Sequence, residues 1–345
     1  MKRSVVRTST TDDPLGGVLR RLTVLGAVLA VLATGACGNT TAATPSQPAT
    51  SGGGATKAAT AVLGADQYLE NGADYISTVD WTRAPKLRIE LGEMFFKPKD
   101  LAVKSGIPIV LEVINSGKIT HEFTADEFFR SSSIRKIQSA QSEVRVPFFT
   151  EIEVLAGQTV KVFAIPVIAG KFEMLCRLPG HREAGMEGTI TVTGAPTGLP
   201  TPVLKSMKSG PWLQNNTELV KAALPTWDAK AKTVNFEAGE GGGGMYFKPK
   251  ELVLKVGTPH VVRLVNAGAI LHQYTADDFF PTVAFRMAKD ASGEYKSPLL
   301  KEAEVLGGKQ LDLYLIPTKV GVFKIVCQLD GHEKAGMVGT IKVTA

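Results

Sequence analysis

Cys176-Arg-Leu-Pro-Gly-His181-Arg-Glu-Ala-Gly-Met186 decides how the chain is read, and it occurs twice: Cys327-Gln-Leu-Asp-Gly-His332-Glu-Lys-Ala-Gly-Met337 repeats it. Each copy offers a thiolate, an imidazole and a thioether, with four residues between neighbours. Soft sulfur combined with imidazole suits a small transition metal, copper above all. A further imidazole precedes each copy, His121 and His272. The steps from 121 to 272, 176 to 327, 181 to 332 and 186 to 337 are all 151 residues. The chain therefore reads as a duplicated metal-binding module. A buried Cys beside an incidental His competes as the explanation of one such stretch. Two copies with matched upstream His residues argue against it.

The duplication extends outward from the ligand turn. Met94-Phe-Phe-Lys-Pro-Lys-Asp-Leu101 answers Met245-Tyr-Phe-Lys-Pro-Lys-Glu-Leu252, again 151 residues on. Short strands are expected at 107–114, 158–165, 171–176 and 188–193, separated by Gly turns. In the third of these, Phe172, Met174 and Cys176 alternate with Lys171, Glu173 and Leu175. Period two places the Cys side chain on the apolar face, and Phe323, Ile325 and Cys327 follow the same rule. Closely spaced alternating strands predict a β-sandwich in each half. The longer excursions between His and Cys predict helices over 126–140 and 277–291. Residues 61–81 and 216–223 read as short helical lead-ins, with Trp227 echoing Trp81. Module 1 is placed at 86–194 and module 2 at 233–345, with a Gly/Pro/Thr-rich and then basic linker over 195–232. At 44% hydrophobic and 21% charged, each half has the material for its own core.

The first 85 residues carry no repeat. Arg20-Arg21, the apolar run from Leu22 and the small residues before Cys37 describe a signal peptide over 1–36. Small residues directly before a Cys resemble the lipobox of bacterial lipoproteins, which makes Cys37 the expected lipidation site. Residues 37–85 would then be a tether and lead-in, since 38–60 hold almost nothing that can be buried. Removing 1–36 takes away five cations (Lys2, Arg3, Arg7, Arg20, Arg21) and two anions (Asp12, Asp13), so the net charge of +6 falls to +3. That is too little to argue for nucleic acid as a partner. Three Cys residues without close pairs are no disulfide framework; a bridge between Cys176 and Cys327 is the competing use of those two.

Asn115-Ser-Gly-Lys-Ile-Thr-His121 with Cys176, His181 and Met186 resembles the cupredoxins, the blue-copper family that includes plastocyanin and azurin. Asn266-Ala-Gly-Ala-Ile-Leu-His272 with Cys327, His332 and Met337 carries the same likeness. The resemblance implies an all-β chain: two Greek-key β-sandwich domains in tandem, with helical lead-ins. It implies a trigonal plane of His121, Cys176 and His181 with Met186 axial. In the second copy the plane is His272, Cys327 and His332 with Met337 axial, giving two type 1 coppers per chain. Glu122 and Gln273 stand where plastocyanin has Asn, and Glu122 is expected to point away from the metal.

The same residues lack the features of copper enzymes. There is no His-x-His pair for a trinuclear cluster, and Leu175 and Val326, not His, precede the two Cys ligands. Each module has one Cys, which does not suit a binuclear centre. His260 aligns with Ile109, outside the repeat, and is expected at the surface end of a strand. These observations lead to the expectation of an extracytoplasmic electron carrier, not an enzyme, lipid-anchored on the outer face of the bacterial cytoplasmic membrane, or else periplasmic or secreted. The resemblance implies exposed exits for electrons at His181, amid Leu178, Pro179 and Ala184, and at His332, amid Leu329 and Ala335. A c-type cytochrome or a membrane oxidase or reductase would dock there. The alternatives are a copper storage or delivery protein, and an oxidoreductase completed by another subunit.

Overall fold

Alternation along each strand settles which face is buried. Asp100–Lys104 and Glu251–Lys255 both run exposed-buried-exposed-buried-exposed, the pattern of a strand with one face on a core and one in water. The structure, a computed structural model, describes residues 63–194, 198–208 and 211–345. The expected signal peptide, the Cys37 lipidation site and the spacer to residue 62 lie outside the described residues.

Each half of the repeat forms a two-sheet β-sandwich. In module 1, one sheet runs Phe95–Lys97, Lys86–Gly92, Ile109–Asn115, Thr159–Pro166, Ser132–Gln138 and Ser142–Arg145. Its other sheet runs Asp100–Lys104, Glu187–Thr193, Gly170–Leu175, His121–Thr124 and Glu151–Val154. Module 2 repeats the plan. Ile89, Val113, Phe123, Val160, Met174 and Ile190 pack between the sheets of module 1, each fully buried. Burial of this apolar surface at roughly 25 cal/mol per Å² is the main force holding the layers together.

The two sandwiches share both of their sheets. Ser142–Arg145 of module 1 pairs antiparallel with Glu302–Val305 of module 2, and Glu151–Val154 pairs antiparallel with Gly293–Lys296. Both sheets therefore continue from one module into the other, eleven strands each. Four strand edges that would otherwise stand open are closed by this exchange. Where the hairpins meet, buried Asp290 accepts hydrogen bonds from Ser139 Oγ and Ser142 Oγ of module 1, both at 2.6 Å. Tyr295 OH, at 3.0 Å, and the Ser292 amide, at 2.8 Å, complete its shell.

Two sequence expectations change here. The helix expected over 126–140 is only Asp126–Arg130, followed by the strand Ser132–Gln138. Over 277–291 there is a 3-10 turn, Phe280–Thr282, and then the strand Val283–Asp290. Both strands pair with the long strand before the ligand Cys, Thr159–Pro166 or Gln310–Pro317. A helix there would leave that strand's backbone donors and acceptors without partners. Each ladder carries a register shift, at Phe163/Ala164 and at Phe285/Met287, which breaks the simple period-two signal.

The lead-in of module 1 is a strand, Gln67–Leu69, and a short helix, Ala73–Ile76, and the strand pairs with Leu204–Ser206 from beyond module 1. The lead-in to module 2 holds the helix Pro211–Ala223. Trp227 does echo Trp81. Arg135 lies 5.3 Å from the Trp81 ring centroid and Arg286 lies 5.2 Å from that of Trp227.

His260 is buried, not at the surface as expected. It opens the strand His260–Asn266 at the inward-facing position that Ile109 takes in module 1, and both are buried. Its Nε2 accepts the Lys255 amide at 3.1 Å, and burial lowers its pKa from 6.5. The folded chain thus resists a proton that the unfolded chain takes up below about pH 6.5. Stability should be undiminished above that pH and fall as pH drops below it. Chemical denaturation at two pH values on either side of 6.5 should show a larger loss for the native chain than for His260→Ile. An equal loss would remove His260 as a contributor.

Candidate metal centres

The loop between Asn115 and His121 is folded by the Asn side chain. Asn115 Nδ2 donates to the carbonyls of Ile119 and Val154, both at 2.8 Å, and Oδ1 accepts the Gly117 amide at 2.9 Å. Asn266 repeats this with Ile270, Val305 and Gly268 at 2.7, 2.8 and 2.9 Å. Each Asn thereby delivers the following His, His121 or His272, at the start of an interior strand, fully buried.

The turn that follows each Cys is closed on itself. The Cys176 amide donates to the Met186 carbonyl at 3.0 Å, and the Met186 amide to the His181 carbonyl at 3.0 Å. The same bonds in module 2 measure 3.2 and 3.1 Å. Gly185 and Gly336 turn the chain at φ of 105° and 103°, values that a residue with a Cβ rarely adopts. Cys176, Met186, Cys327 and Met337 are fully buried, and both Cys residues are free, which rules out the Cys176–Cys327 bridge.

The structure brings His121, Cys176 and His181 together, and His272, Cys327 and His332, with the donor atoms of each set within 4.8 Å of one another. His121 Nδ1 and His181 Nδ1 are 3.2 Å apart, and Cys176 Sγ is 3.3 Å from His181 Nδ1. Cys327 Sγ is 3.2 Å from His332 Nδ1. His272 Nδ1 is buried with no hydrogen-bond partner. Lone pairs converging on one dry point, one of them orphaned, fit a metal ion better than they fit a plain core.

Charge supports that fit. Burial lowers the pKa of His121 and of His272, so both rings are held neutral with lone pairs available. Burial raises both Cys thiols. A metal must then displace the thiol proton, so affinity rises with pH. Amides of Glu122 and Gln273 point at Cys176 Sγ and Cys327 Sγ, both at 3.3 Å, ready to stabilise thiolate. His181 and His332 are each 8% exposed, less than the exposure expected from the resemblance. The closed turn tucks the imidazole inward to reach the Cys.

Several contributors were missed from sequence. Glu93 accepts the Lys118 amide, and Glu240 accepts the equivalent Ala269 amide at 3.0 Å. Glu240 Oε1 also lies 3.1 Å from His272 Nε2. These two acids are not 151 residues apart, because the Gly run of module 2 lengthens the hairpin, so the repeat did not reveal them. Glu122 does point away from the converging donors. Its carboxylate accepts the Arg177 amide at 3.1 Å and faces Glu151 and Glu153. Burial and then Glu151 push its pKa up to about 7, against the pull of Lys296. These three carboxylates could hold a cation as a group, but Lys296 Nζ already serves them.

Residues 84–193 match the family model of copper binding proteins, plastocyanin/azurin family. The "copper-resistant cuproprotein CopI" of Rubrivivax gelatinosus is 29% identical over 99 residues, which cover 29% of this chain and 60% of that protein. The match thus spans less than two thirds of that relative. The protein of the same name from Pseudomonas aeruginosa is 24% identical, covering 31% of this chain and 75% of its own. Among solved structures, a copper-containing nitrite reductase from Thermus scotoductus has a TM-score of 0.28 at 12% identity, over 76% of this chain and 62% of its own. A multicopper oxidase from Campylobacter jejuni has a TM-score of 0.30 at 10% identity, over 76% and 65%. The expectation that the chain is not an enzyme does not stand: the copper-binding family match and the CopI relatives give no support for the absence of an enzymatic role.

Proposed function

We propose that this copper-binding chain of tandem cupredoxin-like modules holds one type 1 copper in each module and passes electrons through them outside the cytoplasm. The observation that carries the reading is the convergence of two imidazoles and a thiol, all buried, at two places related by the repeat. His121, Cys176, His181 and Met186 would hold the first ion; His272, Cys327, His332 and Met337 would hold the second. Copper supplies the one-electron change between cupric and cuprous forms. The protein's part is to keep the donor set the same in both. Thiolate and thioether suit the cuprous ion and imidazole accepts the cupric ion. The Asn-folded loop and the self-bonded turn keep the donors in place without the metal, which lowers the reorganisation needed on electron transfer. The turns that carry His181 and His332 are the natural meeting points for a redox protein such as a c-type cytochrome or a membrane oxidase or reductase. A lipid on Cys37 would tether the chain to the outer face of the membrane.

A second reading, copper storage or delivery, is suggested by the two relatives, both named copper-resistant cuproproteins. The two readings part on retention. Purified chain lacking residues 1–60 should take up copper, turn intensely coloured, bleach with reductant and recover its colour on oxidation with the metal retained throughout. Loss of copper on reduction would favour storage or delivery. A chain that stays colourless with cupric salt would overturn the type 1 assignment.

A further inference from the structure

Beneath each donor set the repeat places the same four positions, but the fourth comes from the wrong module. Under site 1 these are Glu122, Glu151 and Glu153 of module 1 with Lys296 of module 2. Under site 2 they are Gln273, Glu302 and Glu304 of module 2 with Arg145 of module 1. Each pair of counterparts, Arg145 and Lys296 included, is 151 residues apart. Lys296 Nζ lies 2.8 Å from Glu153 Oε1 and 3.7 Å from Glu122 Oε1, and bonds Glu151 more closely still. Arg145 reaches Glu302 at 3.0 Å and Glu304 at 2.9 Å. The exchange follows from the shared sheets: Glu151 pairs with Lys296 across the seam, and Glu302 pairs with Arg145.

These groups touch the ligand backbone on both sides. Glu122 follows His121, its amide donates to Cys176 Sγ, and its carboxylate accepts the amide just past Cys176. Gln273 follows His272, its amide donates to Cys327 Sγ, and its Oε1 accepts the Gln328 amide at 3.0 Å. Its Nε2 then donates to Glu304 at 3.1 Å, the acid that Arg145 holds. A chain of contacts thus runs from each sulfur to a cation of the other module.

We infer that Lys296 is a positioning residue for site 1 and Arg145 for site 2, so that each metal site is completed by the opposite module. This rests on the copper reading above. The physical ground is buried charge. One ammonium faces three carboxylates under site 1, and one guanidinium faces two under site 2. Removing either cation leaves negative charge unpaired in a half-buried pocket. That charge favours the more positive metal state at the adjacent thiolate, and it frees the Glu122 or Gln273 side chain that steadies the amides around the sulfur.

The test uses the full two-module chain with one site disabled at a time. In the Cys327→Ser background, Lys296→Met should move the preference of site 1 toward cupric over cuprous copper by about tenfold and shift its visible band. Lys296→Arg should restore the native values, and Lys296→Gln provides a second neutral variant should Met disturb folding. In the Cys176→Ser background, Lys296→Met should leave site 2 unmoved, whereas Arg145→Met should shift it. Unfolding of the metal-free variants is measured alongside. Copper that binds and cycles with potentials indifferent to Lys296 and Arg145, or shifts of equal size at both sites, would overturn the inference and leave the copper reading intact. Backgrounds that bind no copper would overturn both.

Discussion

Cys176→Ser is expected to abolish the thiolate–copper band of the first site while leaving that of the second, and Cys327→Ser to do the converse. Copper per chain should fall from about two to about one in either variant, with affinity at the altered site lower by about 100-fold or more. The sulfur alone decides this. Cys176 Sγ is 3.3 Å from His181 Nδ1 and accepts the Glu122 amide at 3.3 Å, a dry place prepared for a soft anion. A Ser hydroxyl of nearly the same shape keeps the fold, but it is hard, and it does not ionise near neutral pH. Because the sites sit in separate sandwiches, each spectrum should be close to half of the native one. A band that persists in the Cys176→Ser, Cys327→Ser double variant would remove thiolate ligation from both sites.

Asp290→Ala should be among the most damaging changes away from the metal centres. Its carboxylate gathers two hydroxyls from module 1 and one hydroxyl and one amide from its own hairpin, at 2.6 to 3.0 Å, in a buried setting. Truncation leaves all four donors buried without that acceptor. At about 1–3 kcal/mol for each unsatisfied group, and with partial relaxation, a loss of about 3–5 kcal/mol follows. Ser139→Ala removes one of those donors and also the acceptor of the Gln141 and Ser142 amides, at 2.9 and 3.0 Å, and should cost about 2 kcal/mol. Denaturant unfolding followed by fluorescence measures both. Because Asp290 lies on the seam where both sheets pass between modules, unfolding should remain one transition shifted as a whole. Two transitions, only one of them moved, would show that the modules melt independently and that the seam does not couple them.

The candidate metal-binding Cys, His and Met of each turn were legible because their signals are local. Cys, His and Met sit within one turn, and the 151-residue offset turns a weak motif into a strong one. The inward direction of Cys176 came from the two-residue period of Phe172, Met174 and Cys176, and the structure buries all three. The strands after Asp126 and Asp277 were not legible, since a bulge in each ladder breaks that period and the pairing partner is distant in sequence. His260 was misjudged because a strand-end His has no local feature that distinguishes an exposed ring from one taking the place of Ile109.

From its sequence alone, then, this protein declares a duplicated all-β module and the set of side chains that converge in each copy. Both follow from side-chain chemistry and short-range periodicity, which neighbours along the chain suffice to define. Only the tertiary structure decides that the two modules share their sheets, that Asp290 is satisfied by serines of the other half, and that Lys296 and Arg145 each pair with acids of the opposite module. Those contacts depend on which strand edges meet across the seam, and edge pairing is made by backbone hydrogen bonds that every residue offers alike, so no residue pattern announces it.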